Sequence, residues 1–187
     1  SEIEDIIRRI RKLLEEDKEK IERSIRESRR LLEEAKRINE KSIEDVKRLL
    51  REIEDVVDKI DSREVEDLVR KIEEEVKRLV DEDRKRNEDM TRKNEELLKD
   101  VTEKSKKSIR DIEKLLEEAA RRSGDEKMRE KVERLREDVD RVRKELEKTL
   151  ETVTRSHKRS SEENKRSLEE SERTARKVIE DIRRRDR

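Results

Sequence analysis

The stretch RSHKRSSEENKRSLEESERT, residues 155–174, decides how this chain is read, because no aliphatic residue occurs between Val153 and Leu168. Such a segment is a disordered tail, a solvated single helix, or a core built from polar groups. On a helical wheel its uncharged polar residues fall into one line: Ser156/His157, Ser160, Asn164, Ser167/Leu168, Ser171, Thr174/Ala175. That line continues Val142, Leu146, Thr149/Leu150 and Val153 and runs on to Val178, with steps of three and four residues. The Lys, Arg and Glu residues fall mostly off it. A disordered tail has no reason to sort its polar groups by angle. The spacing predicts an α-helix whose polar side chains take inward positions.

The composition agrees. Of 187 residues, 60% are charged, 56 basic against 56 acidic, so the formal net charge is zero. An average soluble domain carries about 25% charged residues. Disorder usually accompanies high net charge and enrichment in Pro, Ser or Gly, whereas this chain has no Pro, one Gly, and mostly Glu, Lys, Arg, Leu and Ile, which are helix formers. Interleaved charge of zero sum offers no basic face for nucleic acid, and without aromatics there is no platform for base stacking. No apolar run approaches the roughly 18 residues of a membrane span, and no signal-peptide pattern opens the chain. The expectation is a soluble protein without nucleic-acid or membrane partners. With no Cys, the sequence holds no disulfide framework.

Two places read as breaks. Asp61-Ser62 offers an N-cap, and Asp61 with Glu64 has capping-box spacing. At Ser123-Gly124-Asp125, Gly124 sits where a helix end favours a left-handed residue, and Asp125 caps the next helix. Three helices are predicted, at about 2–60, 63–122 and 126–185. Short loops make consecutive helices antiparallel neighbours. The pairs Leu13-Leu14, Leu31-Leu32 and Leu49-Leu50 recur every 18 residues, as do Leu79-Val80, Leu97-Leu98 and Leu115-Leu116. Eighteen residues in five turns is 3.6 per turn, a period without supercoil. The expected fold is all-α: one long, nearly straight, up-down-up three-helix bundle over residues 1–187.

Folding at the two loops sets residue i of the first helix opposite roughly 125 − i in the second, and residue j of the second opposite roughly 247 − j in the third. Polar residues of all three helices then meet at common heights. Asn39, Asn87 and Ser160 share one layer, Ser42, Asp83 and Asn164 the next, and Ala35, Met90 and His157 another; Asp17 meets Ser108, with Ser105 a turn away. Asn94 and Ser167 extend the polar lines, as do Ser24 and Ser28. Each inward polar group needs a partner, so Asp17, Asn39, Ser42, Asp83, Asn87, Asn94, Ser105, Ser108, His157, Ser160, Asn164 and Ser167 are the expected polar core.

None of these residues forms a pattern that catalysis needs. His157 is the one imidazole, whereas a metal site takes several converging ligands, so it is read as structural, and no metal or other cofactor is expected. Asp17 and Asp83 are inward carboxylates, a type that can mark a functional site, but Ser and Asn donors beside them give a structural reason. Ser156, His157 and Ser160 lie together, yet an uninterrupted helix has no spare backbone N–H for an oxyanion. The run Arg183-Arg184-Arg185 suits the negative end of a helix dipole. The chain is not expected to be an enzyme.

Equal helices, minimal loops, one Gly, no Pro, no aromatics, and Ser, Asn, Asp, Thr and His on core layers together resemble a de novo designed, parametrically generated three-helix bundle with buried hydrogen-bond networks. The resemblance covers the whole chain and rests on style, not on a motif. It implies a structural scaffold without natural substrate or required partner, consistent with cytoplasmic expression of a synthetic protein. Spectrin-like repeats match less well, since the chain has no Trp and its helices are about twice as long. The alternatives are an interaction module whose groove accepts a fourth helix or copies of the same chain, and a natural rigid spacer, a solvated helical rod.

Overall fold

The computed structural model describes residues 1–186. Helix α1 spans Glu2–Val56, α2 Ser62–Arg122 and α3 Glu126–Asp186. The starts are capped by the residues before them. The Glu4 amide donates to Ser1 Oγ at 3.3 Å, Glu64 N–H to Asp61 Oδ1 at 2.9 Å, and Met128 N–H to Asp125 Oδ1 at 2.7 Å. Each bond satisfies one donor that a helix start leaves open.

Helix α1 stops at Val56, four residues short of the expected end at 60. Its last turn contains no basic residue, and Glu54, Asp55 and Asp58 crowd the end where the dipole favours cations. The chain then tightens into a turn, with Lys59 N–H donating to Val56 C=O at 2.9 Å. Ile60 still packs against the apolar core, from the loop. Helix α2 ends with Arg121 and Arg122, which suit its dipole. Gly124 departs from expectation too: no glycine has a positive φ, and a Cβ placed there would meet nothing within 4 Å. Gly124→Ala should therefore stabilise the protein by about 0.4–1 kcal/mol through a less flexible unfolded chain. A denaturant midpoint that falls would show that the position needs glycine.

The chain forms two compact units, one of Ser1–Arg29 with Asn94–Ser156, the other of Arg30–Lys93 with the chain from His157 onward. In the first, Arg122 reaches Glu2 at 2.9 Å and Ser105 reaches Asp17 at 3.2 Å. Numbers rise on α1 as they fall on α2, so the two run antiparallel. Its core joins Ile7, Ile10 and Leu14 to Ile109, Ile112, Leu116 and Ala119 and to Val132, Leu135 and Val139. A smaller cluster holds Ile21, Ile25, Val101 and Leu150. In the second unit Arg183 pairs with Glu73 at 2.5 Å, Arg84 with Glu172 at 3.2 Å, and Thr91 with Ser161 at 2.6 Å. There α2 and α3 are antiparallel. Its core sets Val46, Leu50 and Ile53 against Val65, Val69, Ile72, Val76 and Val80 and against Leu168, Ala175, Ile179 and Ile182.

Each doublet of the stripe resolves into an inner and an outer member. In Leu13-Leu14, Leu49-Leu50, Leu79-Val80, Leu97-Leu98 and Leu115-Leu116 the second residue is buried and the first half-buried; Leu31-Leu32 is reversed. In α3 the second member is again buried, but the first is a small hydroxyl residue facing water: Thr149, Ser156, Ser167 and Thr174 are all exposed. Outward, (i, i+3) and (i, i+4) ion pairs such as Arg8–Asp5 at 2.5 Å, Lys104–Asp100 at 2.9 Å and Arg141–Asp138 at 2.8 Å bind the surface. Each adds only about 0.2–0.5 kcal/mol to its helix.

Candidate functional site: buried polar layers

The most developed polar site lies in the second unit. Asn39 on α1 and Asp83 on α2 are 4% and 3% exposed. Asn39 Nδ2 donates to Asp83 Oδ2 at 2.9 Å and to the Asn164 carbonyl on α3 at 3.2 Å. One amide thus ties three helices at one height. Asn164 is buried as well. The partner of Asp83 is Asn39, not Ser42. Ser42 is half-buried and returns its hydroxyl to the Ile38 carbonyl of its own helix at 3.0 Å. The exchange of Ser42 for Asn39 is a shift of three residues, close to one turn. The same three-residue offset recurs in the first unit, where Asp17 meets Ser105 in place of Ser108.

A second layer in this unit links α2 to α3. The Thr91 hydroxyl donates to the Asn87 carbonyl at 2.7 Å, so the 2.6 Å contact with Ser161 has Ser161 Oγ as donor. Asn87 Nδ2 reaches the Ser161 carbonyl at 3.5 Å. Ser161, not Ser160, makes these contacts, although both are half-buried. The Ser160-Ser161 doublet was the available signal: both members lie half-buried at the edge of the stripe, so either can face the neighbouring helix. His157 is buried, whereas Ser156 beside it is exposed, so the two point apart. Ser167 is exposed and does not belong to the polar core. Leu168 occupies the inward place one residue on, and 100° of helix rotation carries Ser167 to water.

In the first unit Ser105 Oγ donates to Asp17 Oδ2 at 3.2 Å, both residues being buried. Ser108, expected opposite Asp17, is half-buried and a turn away. Asn94 is fully buried. Ser28 is also fully buried, and its hydroxyl has no hydrogen-bond partner among the described residues. Ser123, buried where α2 ends, donates to the Ala120 carbonyl at 2.8 Å.

Burial sets the protonation of these groups. Desolvation raises the Asp17 carboxyl above its usual range, with the Ser105 hydrogen bond and the Lys20 charge acting against it. Desolvation likewise raises Asp83, opposed by the Asn39 amide and by Arg86. Desolvation lowers the His157 imidazole. A carboxyl whose folded-state pKa exceeds its ordinary 3.8 binds its proton more tightly when folded. Folding is then favoured as pH falls through the raised value, and the gain is complete below 3.8. His157 acts the other way. The unfolded chain protonates first, so stability is lost as pH falls from 6.5 through the lowered value. Comparison with an Asp17→Asn/Asp83→Asn variant isolates the carboxyls. The stability of the parent minus that of the variant should rise between about pH 7 and about pH 4. Exposed carboxylates held down by arginines, Glu75 by Arg78 and Asp140 by Arg143, are common to both proteins and cancel. A difference that stays flat would mean that the two carboxyls titrate as in water.

Among the described residues no group of three or more His, Cys, Asp or Glu could hold a metal ion, and no helix is long and apolar enough to cross a membrane. No protein-family model matches the sequence, and no curated protein matches it. A solved structure described as a computationally designed three helix bundle aligns over 97% of this chain and 88% of its own, with a TM-score of 0.76 and 22% identity. The chain has the fold of a three-helix bundle. In each unit of this bundle the three helices surround an apolar core, and side-chain hydrogen bonds join the helices at Asn39–Asp83, Thr91–Ser161 and Asp17–Ser105.

Proposed function

We propose that the bundle is a designed structural scaffold: one folding domain over residues 1–187, whose interior polar layers fix helix register, with no catalytic activity and no required partner. The observation that carries this reading is the Asn39 amide, which bonds Asp83 and Asn164 at a single level of the interior. A polar group on a core position specifies alignment at a cost in stability, and small loops with regular helices are the habit of idealised backbones. The 18-residue recurrence of the apolar doublets supports the same reading, as does the description of the similar structure as computationally designed.

A scaffold of this kind folds alone. After dialysis against a chelator, the chain should be fully helical by circular dichroism and should unfold in one transition. Idealised bundles of this class reach midpoints above about 5 M guanidinium chloride or melt above about 90 °C. A chain that is part-helical until a metal ion or another protein is added would overturn the scaffold reading. Two separated transitions would overturn the single domain.

A further inference from the structure

The Ser28 hydroxyl, fully buried on α1, finds no hydrogen-bond partner among the described residues. Buried hydroxyls without a partner are costly and rare in folded proteins. Its own helix does not supply one. Ser42, Thr91, Thr102 and Thr154 each donate to the carbonyl four residues back, whereas Ser28 does not bond the Ser24 carbonyl.

What Ser28 faces follows from the Asp17–Ser105 pair of the same unit. Ser28 stands 11 residues after Asp17, and Asn94 stands 11 before Ser105. Eleven residues at 100° each return to within about 20° of the starting direction, with a rise on the order of 16 Å. In antiparallel helices the two steps lead to one height. Ser28 and Asn94 therefore face each other across the α1–α2 seam as Asp17 and Ser105 do, and both are 0% exposed. The seam has room at this height. Eighteen residues make five full turns, so Ile10 on α1 and Ile112 on α2, both fully buried, hold the equivalent places in the neighbouring repeat. Asparagine matches isoleucine in size, but serine is smaller by the bulk of two carbons. The difference exceeds the roughly 30 Å³ share of one water in the liquid.

We propose that Ser28 and Asn94 bind one interior water, which bridges α1 and α2 within the first unit. The walls decide the ligand. A serine hydroxyl offers one donor and two acceptor sites, and an asparagine amide two donors and two acceptor sites, so Asn94 can hold a water along with a second partner. The Ser24 carbonyl, one turn back, accepts a backbone amide within α1 and keeps a second lone pair. Together these give the water the three or so hydrogen bonds usual for a buried one. A cation does not fit, because neither facing side chain is charged. An apolar guest does not fit either, because it leaves the hydroxyl unpaired.

The test counts long-lived interior waters in the full chain by oxygen-17 relaxation dispersion of the solvent, a signal blind to the exchange of hydroxyl protons. The parent should exceed Ser28→Val by the amplitude of about one water, because the valine methyl groups fill the place and the hydroxyl is gone. Asn94→Leu should remove the same amplitude. The double variant should remove no more than either single one, since the two residues hold one molecule between them. Thr149→Val, at an exposed position of α3, should change nothing. Each variant is first checked for parental helicity and melting, and Asn94→Leu carries the comparison where Ser28→Val does not fold. A parent without dispersion from interior water, equal amplitudes in parent and Ser28→Val, or additive losses in the double variant would overturn the site. Equal amplitudes with a lower melting temperature for Ser28→Val would assign Ser28 a direct bond to Asn94 in place of the water.

Discussion

Asn39→Leu should destabilise the protein by about 2–4 kcal/mol at pH 7, although it replaces an amide with an apolar residue in the interior. The loss arises on the other side of the contact. Asp83, 3% exposed, would keep its carboxylate and lose the amide that sits 2.9 Å from Oδ2. Stranding a buried charged group costs more than the net worth of the bond that served it. The Asn164 carbonyl would suffer less, since it lies within α3 and keeps its place in the helical ladder. Adding Asp83→Leu should then recover the loss and leave the double variant as stable as the parent or more so, because no buried polar atom remains without a partner. The gain has a price in alignment: with the Asn39–Asp83 link gone, Leu faces Leu, and nothing at that height forbids a slip of one turn. Guanidinium chloride melts of both variants decide the matter. If Asn39→Leu moves the midpoint by less than the error, the layer is open to water. If the double variant is worse than the single, the layer does not act as a unit.

Ile53→Ala should cost about 2–5 kcal/mol, in the upper part of that range, and Ile53→Val about 0.5–1.5 kcal/mol. Ile53 is 0% exposed and belongs to the largest apolar cluster of the second unit. The size of the cost depends on how far the surroundings collapse into the space left behind. Here the neighbours are Val, Leu, Ile and Ala, with no aromatic ring to swing in. Leu50 on α1 and Val57 just beyond its end pack against the same cluster and oppose inward movement of the backbone. Leu49→Ala one turn away should cost only about 1–2 kcal/mol, because its outer half already meets solvent. Equal losses at the two positions would mean that the stripe is not split into inner and outer members.

The three helices, both caps and the inward line of polar residues were legible because each depends on angle, and angle follows from a period that any long helix must keep. Asp17, Asn39, Asp83, Asn94, Ser105, His157 and Asn164 lie at positions whose angle leaves no choice, and all are buried. Position along the axis and the choice within a doublet did not show in the same way. Asn39 takes the place assigned to Ser42, and Ser105 that assigned to Ser108, because the height at which two helices meet is set by packing along the axis, which the angle of a residue does not encode. Ser161 acts in place of Ser160, and Ser167 yields to Leu168, because two adjacent residues straddle the same edge of the stripe. The conformation of Gly124 escapes a reading by residue type for a related reason: glycine permits a left-handed residue but does not require one.

The single imidazole has a practical consequence. In a chain with one His and no Phe, Tyr or Trp, the ring protons of His157 are the only carbon-bound protons in the aromatic window of a proton NMR spectrum, and they stand clear once the N–H protons have exchanged in D2O. His157 is buried in the second unit, at the start of its share of α3. The unlabelled protein thus carries an intrinsic reporter there, whose two carbon-bound ring resonances would register loosening, protonation or the arrival of a neighbour, with no isotope, dye or added tryptophan to disturb the packing.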